Sequence, residues 1–273
     1  MGKLVYLYTG ASIREGSLTM NLNVTNGPPS IRPPRTARWN SLELFSGLTA
    51  EDLTAPASLR EHTEHELWMN LRAEYDARHL SAFLRSSQIS FTPEFWVFEE
   101  AWRNDEHNHY LGLRWLYSGL YSMSVEAVDQ RLAAQKPDFS QVEHLIADEF
   151  TLCVTLAYDE FASARGYAQD FELYEQFGPP PVAQWIRYAA RDEMLHHLNA
   201  IDLIELHYAE RVAEMPRIID RLIHHDTTEG YEYRSTFLFD HEPDPGHNPF
   251  GPEFLRECGK VVCSRFGVEY PVG

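Results

Sequence analysis

Two short stretches of this sequence carry the same arrangement of carboxylates and an imidazole. Residues 105–109 read Asp-Glu-His-Asn-His and residues 192–196 read Asp-Glu-Met-Leu-His, so each contains Asp-Glu-x-x-His. On a helix, residues three apart share a face, so the glutamate and histidine of each copy can bind one metal ion. A single Glu-x-x-His is common by chance, whereas two copies that both follow an Asp are not. The predicted metal ligands are Glu106, His109, Glu193 and His196.

The aspartate before each glutamate is predicted to orient a histidine ligand. A metal-bound imidazole usually donates its second ring N–H to a carboxylate, which fixes the tautomer and the orientation of the ring. Asp105 and Asp192 are each predicted to accept this hydrogen bond from the histidine of the opposite helix.

A two-metal site in a helical bundle needs one further glutamate from each of two other helices. Glu160 lies on an apolar stripe, 33 residues before Glu193. In the first half of the chain, Glu74 lies 32 residues before Glu106. If the two helices form an antiparallel hairpin with equal rise per residue, the position opposite Glu106 is close to Glu74, which favours Glu74 over the other glutamates nearby. The chain therefore contains two copies of one hairpin pattern. Glu64 is the alternative to Glu74.

Sequence periodicity predicts the helices that must position these residues. Apolar residues recur every three or four positions in four long stretches, at about 57–86, 93–120, 140–169 and 181–208. Thr92 and Pro93 are a typical N-cap and first helical residue, and Ser140 with Glu143 predicts a capping box that opens the third long helix. Shorter helices are expected at about 124–135, at about 216–225 and near Phe254. No strong strand pattern separates them, so we predict an all-α fold, an antiparallel four-helix bundle with extra short helices.

The two ends of the chain are predicted to be irregular. Residues 1–56 read as an N-terminal arm with clustered prolines, in which the alternation of Met20, Leu22 and Val24 predicts at most a short hairpin. Residues 57–225 form the predicted bundle. Residues 226–273, rich in Pro and Gly, are predicted to wrap the bundle as part of the same domain.

Composition and charge exclude several classes of protein. The chain has 273 residues, of which 41 are acidic and 23 basic, and its formal net charge is −18. This charge argues against nucleic-acid binding, which needs concentrated Lys and Arg. No apolar stretch approaches the roughly 18 to 20 residues of a membrane span, and no signal peptide is recognised at the N-terminus. Three cysteines without a CxxC pattern fit a reducing compartment, so we expect a cytoplasmic protein.

The chemistry of the predicted ligands narrows the choice of metal. Four carboxylates and two imidazoles give a hard, mostly oxygen site, which suits Fe(II) or Mn(II) and differs from a closed tetrahedral zinc site. Four carboxylates also balance the charge of two Fe(II) ions. We therefore expect two iron ions, with manganese as the alternative.

This set of motifs resembles the ferritin-like non-haem di-iron carboxylate proteins. Within that superfamily, residues 102–110 and 158–163 are similar to the acyl-carrier-protein desaturase branch, and the resemblance covers roughly residues 57–210. Ser163 stands where that branch has a threonine associated with oxygen activation, and it keeps the hydroxyl. The branch that oxidises aryl amines at nitrogen has a further histidine where this chain has Ala189.

The resemblance implies an O2-activating oxidoreductase and leaves its substrate open. The first hypothesis is desaturation of an acyl chain, and the alternative is a hydroxylase or N-oxygenase of a small amine or aromatic metabolite. A net charge of −18 disfavours association with an acidic carrier protein. Because the chain has no flavin or iron–sulfur motif, a separate electron donor such as a ferredoxin or a reductase is implied, and homodimers are common in the family. A ferritin-like iron-handling protein without an organic substrate is a further alternative.

Overall fold

The computed structural model describes residues 33–227, 236 and 251–271, which lie within one compact unit, Arg32–Gly273. The described part contains helices and no strand, which confirms the all-α prediction. The predicted hairpin around Met20 to Val24 lies outside the described residues, as do most of the N-terminal arm and much of the segment after residue 227. In the described residues, no helix combines the length and apolar character needed to cross a membrane.

Four long helices and five short ones make up the described part. The long helices are α2 (Ala57–Ser86), α3 (Pro93–Tyr121), α5 (Glu149–Gln169) and α7 (Pro180–His207). The short helices are α1 (Ser41–Leu44), α4 (Val125–Ala133), α6 (Phe171–Glu175), α8 (Met215–Thr227) and α9 (Pro252–Ser264). Short 3-10 turns cover Ala50–Asp52, Phe139–Leu145 and Ala209–Glu214. Helix α2 packs against α3, α5 packs against α7, and α3 also contacts α7.

Local sequence explains most of the helix boundaries. Thr92 accepts a hydrogen bond from the Phe95 amide and Pro93 follows it, so α3 begins where the sequence predicts. The third long helix differs from the prediction. It begins at Glu149 because the Asp148 side chain accepts from the Thr151 amide at 2.7 Å.

The residues predicted to open that third helix form a 3-10 turn instead. Asp138, not Ser140, caps this turn, since its carboxylate accepts hydrogen bonds from both the amide and the hydroxyl of Ser140. The expected capping box of Ser140 with Glu143 is therefore wrong. A side chain that accepts a hydrogen bond from the backbone two residues further along stabilises a turn, and this turn competes with a regular helix.

A polar layer interrupts the apolar core. One cluster of buried apolar residues includes Leu80, Trp102 and Leu156. A second cluster includes Leu71 and Leu113 and lies toward the other end of the long helices. Along α2, α3 and α7, the predicted metal ligands lie between the two clusters. The packed helices thus bury carboxylates and imidazoles between the two apolar clusters, where unpaired charge is costly.

Candidate metal centre

Six buried side chains meet in this polar layer as two overlapping groups. The ligand atoms within each group all lie within 4.8 Å of one another. The first group is Glu74, Glu106, His109 and Glu193, and the second is Glu106, Glu160, Glu193 and His196. Glu106 and Glu193 belong to both. Each group can hold a metal ion, and the two shared carboxylates place the two positions side by side.

Each of the four long helices contributes to this cluster. Helix α2 supplies Glu74 and α5 supplies Glu160, one glutamate each. Helices α3 and α7 each supply a glutamate and a histidine three positions apart, which places both on the inward face.

The His109 ring points one nitrogen at carboxylates of the cluster and the other away from it. Its Nδ1 lies 3.4 Å from Glu74 Oε2 and 3.2 Å from Glu193 Oε1. Its Nε2 lies 3.4 Å from Asp192 Oδ2. An Nε2–H that donates to Asp192 leaves Nδ1 as a lone pair directed at the cluster, which is the tautomer that binds a metal ion.

The His196 ring has the same arrangement in the second group. Its Nδ1 lies 3.0 Å from Glu193 Oε2 and 3.2 Å from oxygens of both Glu160 and Glu106. Its Nε2 lies 3.3 Å from Asp105 Oδ2. The structure therefore places each aspartate beside the histidine of the opposite helix.

The two aspartates differ in their surroundings. Asp192 is completely buried, and besides His109 it contacts the indole N–H of Trp39 and the guanidinium of Arg191, the latter at 3.5 Å. The Asp105 side chain is 19% exposed. Water can therefore reach one of the two supporting carboxylates and not the other.

Trp39 lies in the N-terminal segment that the sequence predicts to be irregular. Its ring stacks on that of His109, with centroids 5.9 Å apart. Arg35 and Ser41 hold the segment in place. Arg35 pairs with Asp202 at 2.7 Å, and the Ser41 amide donates to the Asn108 side chain at 2.7 Å. No spacing in the sequence indicates this contact, because it joins residues 153 positions apart.

Two further aromatic residues donate hydrogen bonds to the outer glutamates. The Tyr167 hydroxyl donates to Glu74 Oε1 at 2.7 Å, and Trp102 Nε1 donates to Glu160 Oε1 at 2.6 Å. Each hydrogen bond fixes one carboxylate oxygen and leaves the other directed at the cluster. The sequence motifs predict neither of these hydrogen bonds.

A small cavity of about 30 Å³ opens beside the cluster. Besides four of the glutamates, its lining comprises Ala73, Trp102, Asp159, Ser163, Tyr167 and Thr236. A cavity of this size holds about two water molecules. Ser163, whose hydroxyl the resemblance links to oxygen activation, lies on the cavity wall, as do Asp159 and Thr236, which the sequence motifs do not indicate.

Burial and mutual repulsion set the electrostatics of the cluster. Burial, followed by the charges of Glu74 and Glu193, raises the pKa of Glu106 well above its usual range. Burial likewise raises the pKa of Glu160 to about 8. Burial opposes the charged form of His109, yet the carboxylates of Glu74 and Glu193 raise its pKa well above the ordinary value. Without a metal ion the cluster therefore holds protons that a cation would replace.

The donor set fits a pair of divalent cations. Glu74 Oε2, Glu106 Oε1 and His109 Nδ1 are buried and make no well-aligned hydrogen bond, although each lies 3.2 to 3.4 Å from a polar atom of another residue in the cluster. Buried polar atoms without partners are rare and point to an absent water or ion. Glu64, the alternative to Glu74, is exposed and accepts a hydrogen bond from Tyr117 at 3.3 Å, so it lies outside the cluster.

Comparison of the chain with protein-family models, with curated proteins and with solved structures finds no significant match.

Proposed function

We propose that this chain is an O2-activating non-haem di-iron oxidoreductase that acts on an organic substrate. The observation that carries the proposal is the pair of buried groups that share Glu106 and Glu193, because two neighbouring metal ions need shared carboxylates. For helices α2, α3, α5 and α7 we propose the ferritin-like four-helix arrangement that the motifs imply.

The proposed assignment gives each ion one outer glutamate and one histidine. Glu74 and His109 hold the first ion, Glu160 and His196 hold the second, and the two shared glutamates contribute to both. Carboxylate oxygens and imidazole nitrogens suit Fe(II), with Mn(II) as the second choice. When bound, ferrous iron supplies the electrons that reduce O2 and make it reactive toward an organic compound.

The side chains around the cluster support this chemistry by orientation and by exclusion of water. Asp105 and Asp192 hold the two imidazoles so that Nδ1 faces the cluster. The apolar clusters above and below the polar layer keep bulk water out. Ser163 is the proposed hydroxyl for the oxygen-activation step, since it lines the cavity beside Glu160.

The cavity is small for a long acyl chain. Its volume is about 30 Å³, and its described walls combine the polar groups of Ser163, Thr236 and Asp159 with the rings of Trp102 and Tyr167. Because of this small volume, we favour hydroxylation or N-oxygenation of a small metabolite over desaturation of an acyl-carrier substrate.

Anaerobic titration with Fe(II) tests the proposal. We expect two tightly bound iron ions per chain in the wild type and a transient optical absorption when O2 is added. Glu193→Ala removes a shared carboxylate and should lose both the second iron and the transient absorption. Glu64→Ala removes an exposed glutamate of α2 and serves as the matched control that keeps both.

Two outcomes would contradict the proposal. Trace iron binding by the wild type would leave the cluster without a metal function. Iron that is oxidised and then accumulates as a mineral, with many more ions per chain than the cluster holds, would assign the chain to iron handling instead.

A further inference from the structure

Asn70 is a buried amide of helix α2. Its side chain is 1% exposed, and neither its Nδ2 nor its Oδ1 makes a hydrogen bond within the described residues. A side-chain amide has two N–H donors and a carbonyl acceptor, so this hydrogen-bonding capacity is unused here. Leu67 and Leu71 beside it on α2 belong to one of the apolar clusters. Because an amide buried without hydrogen bonds costs free energy, packing alone does not explain an asparagine at this position.

Asn70 lies one helical turn before the metal ligand Glu74. Residues four apart on a helix share a face, and a long side chain extends back over the turn that precedes it. The Glu74 side chain therefore extends toward the turn that carries Asn70. Ala73, three residues after Asn70, lines the cavity beside the cluster, so Asn70 lies on the same side of α2 as a cavity wall.

The Glu74 carboxylate has room for a further hydrogen-bond donor. Its Oε1 accepts from the Tyr167 hydroxyl at 2.7 Å. Its Oε2 makes no well-aligned hydrogen bond and lies 3.4 Å from His109 Nδ1. A carboxylate offers about four lone-pair sites, so the Tyr167 hydroxyl and one metal ion leave about two of them unused. An N–H of the Asn70 amide can use one of these sites without displacing either.

The second half of the chain has leucine at the corresponding position. Glu160 corresponds to Glu74 in the repeated hairpin pattern, and the residue four positions before it is Leu156. Leu156 belongs to the other apolar cluster. The amide is therefore confined to the half of the repeat that supplies Glu74 and His109, as a role at one of the two metal positions requires.

We propose that Asn70 is a positioning residue for Glu74 in the metal-loaded chain, where its side-chain amide donates a hydrogen bond to the Glu74 carboxylate. This inference rests on the metal binding in the proposed function. The hydrogen bond holds Glu74 in the orientation that binds the first ion, and it gives the buried amide a partner. The two metal positions are then inequivalent, because Leu156 stands beside the outer glutamate of the second.

This role affects the metal-free and the metal-loaded chain differently. In the metal-free chain the amide is buried without a hydrogen bond to the described residues, so an apolar side chain of similar shape should leave stability unchanged or raise it. In the metal-loaded chain the same replacement removes a hydrogen bond to a ligand and should weaken metal binding. A residue that serves packing alone would show the reverse, a loss of stability with unchanged metal affinity.

Binding of Mn(II) to the full chain tests the role of Asn70. Mn(II) is the probe because its binding can be measured apart from any reaction of iron with O2. Titration against a chelator of known affinity gives the affinity for each ion, and thermal unfolding gives the midpoint of the metal-free chain. For Asn70→Leu we expect the affinity for one ion to fall roughly tenfold and that for the other to change less. The metal-free midpoint should equal or exceed that of the wild type.

Three further variants separate the hydrogen bond from side-chain size and from stability. Asn70→Gln is enlarged, as Asn70→Leu is, but keeps the amide, so it should bind Mn(II) more tightly than Asn70→Leu. Asn70→Ala removes the amide without added bulk and should show the same loss of affinity, even if leucine proves too large for the chain to fold. Ser81→Ala is the matched control, since Ser81 is buried two turns beyond Glu74 and its hydroxyl donates to Glu99. It should lower the metal-free midpoint and leave both affinities unchanged.

The outcomes distinguish this inference from the proposed function. Equal Mn(II) affinity in the wild type, Asn70→Leu and Asn70→Ala overturns the role of Asn70 alone. Affinity that falls equally in Asn70→Gln and Asn70→Leu does the same, because the amide then has no effect of its own. A chain that binds two ions but does not react with O2 when loaded with iron contradicts the proposed function, while the Mn(II) affinities still decide the role of Asn70. A chain that binds no metal ion overturns both.

Discussion

Replacement of either supporting aspartate by asparagine should weaken metal binding, and by unequal amounts. Removal of a carboxylate that orients a metal-bound histidine typically costs about 10- to 100-fold in affinity. Asp192 is completely buried and its Oδ2 accepts from both His109 and Trp39. An amide in its place can keep one oxygen for these donors, but it loses the negative charge beside the imidazole and turns its N–H groups toward the guanidinium of Arg191. We expect Asp192→Asn to lie near the upper end, about 100-fold or about 2.7 kcal/mol of binding free energy.

Asp105→Asn should lie near the lower end of that range. Its side chain is 19% exposed, so water can replace part of the lost interaction with His196. We expect about a tenfold loss of affinity, or about 1.4 kcal/mol.

The measurement is a competitive titration of Fe(II) or Mn(II) against a chelator of known affinity, under anaerobic conditions. Asp129→Asn is the control, because Asp129 pairs with Arg114 outside the cluster and should leave the affinity unchanged. A larger loss in Asp105→Asn than in Asp192→Asn would refute the reasoning from burial, and unchanged affinity in both would refute the role of the aspartates.

Three further predictions concern the stability of the metal-free chain. Glu160 has a pKa of about 8 in the folded chain and an unperturbed value of 4.5, so between these values the folded state holds a proton that the unfolded state has lost. Stability should therefore fall as pH rises from about 5 to about 8, and a midpoint of thermal unfolding that rises over this range would contradict it. Tyr167→Phe removes the hydrogen bond to Glu74 and should lower the free energy of unfolding by about 1 to 1.5 kcal/mol, measured by denaturant unfolding. An unchanged free energy of unfolding would contradict this expectation. Gly112→Ala would place a Cβ 1.9 Å from Trp185 Nε1 and should lower stability by about 1 to 3 kcal/mol, measured in the same way; an unchanged midpoint would show that the indole can move.

The helices could be predicted where local signals agree with one another. Helix α3 begins at Pro93 after the Thr92 cap, as expected, because N-cap and proline act on the same turn. The helix that supplies Glu160 begins later than expected, since Ser140 and Glu143 form a plausible local motif while Asp148 provides the cap that is used. Capping residues compete over a few positions, and their sequence alone does not rank them.

The Glu-x-x-His ligands of the cluster could be predicted from the sequence, whereas the contacts around them could not. Residues of Glu-x-x-His meet because of helix periodicity, which the sequence displays directly. The contacts from Trp39 to Asp192 and from Tyr167 to Glu74 join residues 153 and 93 positions apart, so they depend on how the helices and the N-terminal segment pack. No periodicity encodes such contacts.

The polar layer itself shows why the surrounding contacts matter. Four glutamates and two histidines in the interior cost free energy unless they are paired, protonated or bound to a cation. The raised pKa of Glu160 and the atoms of Glu74 and Glu106 without well-aligned hydrogen bonds indicate that the side chains alone satisfy this requirement incompletely. Binding of two divalent cations would replace the held protons and occupy these atoms. The chain thus gives up stability in its metal-free form, and metal binding should restore it as a higher midpoint of thermal unfolding.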